Sequence, residues 1–102
     1  MLNRVILIGR LTRDPELRYT PNGTAVASFT VAINRKYNRE ETDFIPIVVW
    51  SKQAELCANY LGKGRLVAVE GRLQVRSYEA KDGQKRWVTE VIADDVRFLD
   101  KG

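Results

Sequence analysis

The sequence predicts an all-β fold with one short helix: a small Greek-key barrel of five strands, with the helix between the third and fourth. Three observations carry this expectation. Ala25, Ala27, Phe29, Val31 and Ile33 alternate with Thr24, Ser28, Thr30 and Asn34, the period of a half-buried strand. Helical spacing occurs once, where Ala54, Cys57, Ala58 and Leu61 fall at i, i+3, i+4 and i+7. Turn signals, Asp14-Pro15, Pro21-Asn22-Gly23 and Asp82-Gly83, separate the remaining extended runs.

The first strand covers residues 3–13 around Val5-Ile6-Leu7-Ile8, apolar on both faces as in a tightly curved sheet, and Gly9 marks its bend. Leu17-Arg18-Tyr19 is a short extra extended piece between two turns. The alternating run is the second strand, and residues 43–51 form the third. Pro46 cannot donate to a ladder, so it marks an edge or a bulge. Ser51 is placed to cap the helix, and Gly62 suits a left-handed residue after it. Strand four spans residues 65–78 and strand five residues 86–93, joined by the Asp82-Gly83 hairpin tip. Val96-Arg97-Phe98-Leu99 closes the chain as a final extended segment. This order of elements fits a barrel of the OB type, with another helix-capped small barrel as the alternative.

The chain has 102 residues, 44% of them hydrophobic, which suits one domain over residues 1–102 with one core. Its lone cysteine, Cys57, leaves no internal disulfide, in keeping with a reducing compartment. The start Met1-Leu2-Asn3-Arg4 has no signal-peptide pattern, and no apolar run nears the roughly 20 residues of a membrane span. A soluble, cytoplasmic protein is expected. Lys and Arg number 17 against 13 Asp and Glu, a net charge of +4 compatible with a nucleic-acid partner.

Catalysis has little to build on. Without histidine there is no His-based triad and no His metal site, and one cysteine cannot make a thiolate zinc centre. No phosphate-cradling glycine loop occurs. Asp94-Asp95 are strand neighbours and point to opposite faces, so they read as solvated charges rather than a metal site. No cofactor and no enzymatic activity are expected.

Binding residues, in contrast, fall into a pattern. In strand four, Val67, Val69, Gly71, Leu73 and Val75 form the core face, leaving Arg72, Gln74, Arg76 and Tyr78 on the other. That second row either contacts a sugar-phosphate backbone or is a solvated face. In strand three, Ile45, Ile47 and Val49 point inward, which puts Phe44, Pro46, Val48, Trp50 and Lys52 outward. Phe44 and Trp50 lie about 20 Å apart along the strand. Two large aromatics opposite a core face need a covering surface, and with bases beside them stacking on nucleobases explains them best. Tyr37 sits inside Arg35-Lys36-Tyr37-Asn38-Arg39, either a solvated hairpin or an arm that stacks on a base while its cations meet phosphates. Trp87, after Lys85-Arg86, either anchors the long hairpin or touches a strand of nucleic acid. Tyr60, on the helix, is expected to pack, and Tyr19 is open. Duplex DNA hides its base faces, so stacking residues select an unpaired strand, without regard to sequence.

The stretch from Asn3-Arg-Val-Ile-Leu-Ile-Gly9 through Asp14-Pro15 to Tyr19-Thr-Pro-Asn-Gly23 resembles the opening of bacterial single-stranded DNA-binding proteins. So do Ala25-Val-Ala-Ser-Phe-Thr-Val-Ala32, Tyr60-Leu-Gly-Lys-Gly64, Val69-Glu-Gly-Arg-Leu73 and Thr89-Glu-Val91, in order over nearly the whole chain. The resemblance implies an OB-fold, a homotetramer with DNA wrapped around it, and stacking at the positions held by Tyr37, Phe44, Trp50 and Tyr78. It implies roles in DNA replication, recombination and repair, or in DNA uptake. An OB-fold primosome or adaptor protein working through protein contacts is the alternative. Ile45-Pro46 stands where some members carry a polar, histidine-containing pair near the subunit interface. Members also often continue into a Gly/Gln/Pro-rich linker and an acidic tip that recruits replication and repair proteins. This sequence stops at Gly102, the form of a short member or a core, so recruitment through a tail is not expected.

Overall fold

In the computed structural model, which describes residues 1–100, the alternating run becomes β3 (Ala25–Asn34), with Ala25, Ala27, Phe29 and Val31 buried. Around it lie β1 (Val5–Leu11), β2 (Glu16–Tyr19), β4 (Thr42–Trp50), α1 (Ser51–Tyr60), β5 (Leu66–Glu79) and β6 (Lys85–Phe98). The sheet order is β1-β5-β6-β4-β3-β2, and β1 pairs again with β3, closing five strands into a ring. Every pairing is antiparallel except β4 with β6. That is the OB topology. The extra piece at Leu17–Tyr19 is β2, hung on β3 outside the ring, so the helix falls after the fourth strand of six rather than the third of five. Within the ring it still separates the third strand from the fourth.

Closure depends on a missing side chain. A Cβ on Gly9 would lie 2.6 Å from the Ala32 carbonyl oxygen, just where β1 passes from β5 to β3. The core inside the ring is built from Leu11, Phe29, Val31, Ile47, Val49, Val67, Val69 and Val91. Ala54 and Cys57 of α1 cap it together with Leu61 just beyond the helix, while Ala58 of the expected stripe is only partly buried. Each fully buried branched side chain contributes about 1.5–3 kcal/mol. Burial pushes the Cys57 thiol up to about 11. No described helix is long and apolar enough to cross a membrane.

Several local expectations are corrected. Strand one is shorter than residues 3–13, because Asn3 instead bonds the backbone of Leu73 through both side-chain atoms, at 2.9 Å each. Ser51 does not cap α1; it takes φ 61 as the first helical residue, and Trp50 occupies the N-cap. Gly62 is not left-handed. The helix ends on extended Leu61, whose buried side chain anchors it, and the left-handed turn comes at Gly64. Tyr60 is exposed rather than packed. Residues 86–93 and 96–99 are one strand, β6, because a bulge absorbs Asp94 between the pairs Gly71↔Ala93 and Glu70↔Asp95.

The largest difference concerns Leu73 and Val75, expected in the core and found 47% and 62% exposed. β1 accompanies β5 only as far as Gly71, and β4 meets β6 only at Val91 and Ile92. Beyond those points β5 and β6 pair with each other alone, as a two-stranded arm standing off the ring. Their alternation continues, but no layer lies opposite it.

At the C-terminal end, Asp100 accepts from Arg65 Nε at 2.9 Å, from the Leu66 N–H at 3.2 Å and from Arg10 Nη1 at 3.3 Å. The Arg65 hydrogen bond, helped by the Leu66 N–H and by Arg10, holds the Asp100 carboxyl below the usual carboxylate range. A carboxyl depressed in the native state stabilises it above the unfolded value of about 4, and that contribution fades as pH falls through the native value. Asp100→Asn is therefore expected to lower the urea midpoint at neutral pH but to flatten its decline below about pH 4. A variant declining as steeply as the parent would place the acid sensitivity elsewhere.

Candidate nucleic-acid interface

Pairing register puts one continuous outward face on the ring and arm. Arg18 of β2 lies across from Val26 of β3, which lies across from Trp50 of β4. Ser28, Thr30 and Ala32 sit opposite Val48, Pro46 and Phe44. β6 then adds Ile92 beside Val48, and β5 adds Arg72 opposite Ile92 and Gln74 opposite Glu90. Two adjoining hollows cover this face, one ending at Phe44 and the other at Trp50. They share Arg18, Val26, Val48, Arg76 and Glu90, so they form a single groove.

Of the residues expected to bind, the fold brings Phe44, Trp50, Arg72 and Arg76 into this groove. Tyr78 extends the same face along the arm, with the Arg76 guanidinium carbon 5.9 Å from its ring centre. Phe44, Trp50 and Tyr78 are 62%, 44% and 45% exposed, so their rings are open to a ligand. Pro46 lies mid-groove, on a stretch of β4 that β6 has not yet joined, which is how its missing N–H is tolerated.

Tyr37 stands apart at the tip of the β3–β4 loop, with Lys36 Nζ 5.3 Å from its ring centre. Arg39 is exposed in that loop, whereas Arg35 is committed to Asp43 through Nε at 3.2 Å and Nη2 at 3.1 Å. That pairing raises the arginine's pKa and lowers the aspartate's, the hydrogen bond being the main cause of each. Arg35 braces the loop rather than offering a free cation.

Two expected residues lie elsewhere. Lys52 does not continue the Phe44–Trp50 row, because Ser51 turns the chain and leaves Lys52 exposed on α1. Trp87 pairs across from Ser77, one residue out of step with the Tyr78–Arg86 pair, so it faces away from the groove with Leu73 and Val75.

Sequence reasoning missed Arg13, Arg18 and Glu90. Arg13 and Arg18 line the groove, and neither side chain forms a hydrogen bond or ion pair with a described residue. Arg72 is likewise unpaired among the described residues. Glu90 is the buried acid of the groove, 4% exposed, and its Oε1 accepts from Arg76 Nε at 2.7 Å. The signal for Glu90 was its place on the Val88–Ile92 face of β6. For Arg18 it was the parity of a strand only four residues long. Among the described residues no cluster of His, Cys, Asp and Glu could hold a metal ion.

The family model described as the single-strand binding protein family matches residues 2–99. The chain belongs to this family. Single-stranded DNA-binding protein 3 of Clostridium acetobutylicum is 61% identical over 105 residues, spanning 99% of this chain and 73% of that protein. The single-stranded DNA-binding protein of Clostridium tetani is 59% identical, over 99% of this chain and 72% of the relative. Among solved structures, a deletion variant of the single-stranded DNA-binding protein from Thermus aquaticus superposes with a TM-score of 0.81 at 39% identity. The match covers 99% of this chain and 42% of that one. Family membership and the OB topology thus agree with the resemblance read from the sequence.

Proposed function

We infer that this chain binds unpaired DNA without sequence preference and coats it during replication, recombination and repair. The observation that carries the reading is the groove itself: three open aromatic rings on one sheet face, with Arg13, Arg18 and Arg72, whose side chains have no partner among the described residues, between and beside them. Bases stack on Phe44, Trp50 and Tyr78, each worth about 1–3 kcal/mol. Phosphates meet these arginines, with Tyr37, Lys36 and Arg39 of the β3–β4 loop as a further contact at one end. Binding, not catalysis, is the chemistry these groups support, and a cytoplasmic, nucleoid-associated location goes with it.

A homotetramer belongs to the same reading. Ile6 and Ile8 are 66% and 57% exposed on β1, and Leu73, Val75 and Trp87 form a second apolar strip on the arm. Second copies of the chain would cover both. Titration with oligo-dT, followed by tryptophan fluorescence and light scattering, tests the two claims together. Quenching of tryptophan emission by the DNA, bound to a particle of four chains, is the expected result. Unchanged fluorescence and no complex would overturn the binding reading, and a scattering mass of one chain would overturn the assembly.

A further inference from the structure

The motif Thr89-Glu90-Val91 has one member that phosphate binding does not explain. Glu90 places a buried carboxylate in the middle of a groove otherwise suited to a polyanion. Its side chain is 5% exposed, while that of its partner Arg76 is 52% exposed. The bond between them uses only Arg76 Nε and Glu90 Oε1. The Nη groups of Arg76 have no acceptor among the described residues. Glu90 Oε2 has no donor there either. Since no buried side-chain oxygen is left unpaired among the described residues, that atom reaches the groove it lines.

Two consequences follow from the chemistry. A buried carboxylate cannot give up its only cation without a large cost, so Arg76 is not free to trade Glu90 for a phosphate. The pair is also neutral as a unit, and a phosphate beside it would meet the carboxylate's repulsion along with the guanidinium's attraction. What the pair does offer the groove is one hydrogen-bond donor edge next to one acceptor.

We propose that Arg76 and Glu90 form a subsite for the pairing edge of an unpaired base, not for phosphate. This rests on the reading that the groove holds single-stranded DNA. Every DNA base presents a donor beside an acceptor on that edge: N6–H with N1 in adenine, N4–H with N3 in cytosine, N1–H with O6 in guanine, N3–H with O4 in thymine. A donor–acceptor pair therefore satisfies any of the four bases, and it rejects a base whose edge is already used in a duplex. Tyr78, braced by the same guanidinium, supplies the stacking surface beside it. Selection for unpaired strands then comes from hydrogen bonding as well as from stacking, with no sequence preference.

The test compares oligo-dT with an oligonucleotide of equal length built from N3-methylthymidine, which stacks and carries phosphates but has lost its donor edge. The unsubstituted protein is expected to bind the methylated strand about fivefold or more weakly, the scale of one lost hydrogen bond. In parallel, the slope of log affinity against log salt is measured for Arg72→Gln, Glu90→Gln and the double variant Arg76→Gln/Glu90→Gln. Arg72→Gln should lose about 0.7 of slope, the amount for one phosphate on a single strand. The double variant, which stays neutral, should weaken binding with the slope kept, and Glu90→Gln alone, which frees the arginine's charge, should steepen it by about 0.7. Equal affinity for the two strands, or a slope for the double variant reduced by about 0.7, overturns the proposal. If the double variant does not fold, the two-strand comparison decides alone. Failure of the unsubstituted protein to bind oligo-dT would instead remove the single-stranded DNA reading and this inference with it.

Discussion

Trp50→Ala is expected to weaken oligo-dT binding by about 5- to 150-fold, the range of one lost base–aromatic stack. Phe44→Ala should act similarly, and the double variant should come close to abolishing binding at moderate salt. The basis is position. Both rings project from the outward face of β4, 44% and 62% exposed, while the core takes Ile47 and Val49 from the opposite face. Little packing is lost with either ring, so thermal midpoints should move by only a few degrees. Trp50→Phe, which keeps a stacking surface, should recover most of the affinity. The measurement is a fluorescence-anisotropy titration with labelled oligo-dT, since Trp50→Ala removes the tryptophan of the groove and leaves only Trp87, which faces away from it. Normal affinity joined to altered assembly would assign these rings to a subunit interface.

Gly71→Ala should cost about 3 kcal/mol of stability or more, a large share of the ~5–15 kcal/mol of a small domain. A Cβ there would lie 2.1 Å from the Ile92 carbonyl oxygen and 2.9 Å from the Ala93 Cα. Both are backbone atoms of the neighbouring strand, so no side chain can swing aside. The site is also the β-bulge at which the β5–β6 ladder changes register, and relief of the clash would disturb the arm that carries Arg72, Arg76 and Tyr78. Gly83→Ala is the matched control. Gly83 has φ 81 at the hairpin tip but nothing within 4 Å of the added atom, so the expected loss is about 1 kcal/mol. Urea unfolding of the two variants checks the contrast. Equal midpoints would mean that the strands at Gly71 lie farther apart than described.

How much of this was legible beforehand depended on whether a signal was local. The run from Ala25 to Ile33 and the stripe Ala54–Leu61 owe their one-sided burial to their periods, and both face the core in the structure. Phe44 and Trp50 were legible for the same reason, since parity along one strand requires no knowledge of its neighbours. Parity failed where a neighbour ended. Nothing in Leu73 or Val75 records that β1 stops accompanying β5 at Gly71, and so their inward face looks out on solvent. It failed again at Ser51, where a left-handed backbone broke the row that Lys52 was expected to continue. Glu90 and Arg76 are 14 residues apart, and only the β5–β6 register brings them together. Charge state in the groove is thus a tertiary property. Counting arginines overstates the free cations, because Arg35 and Arg76 are each already held by an acid.

The groove is the outer side of a sheet, not the bore of a ring. A ligand therefore settles onto it sideways, and no free terminus has to pass through the protein. An unpaired stretch flanked by duplex at both ends, or a covalently closed single-stranded circle, should be as good a substrate for loading as a linear oligonucleotide with the same number of exposed bases.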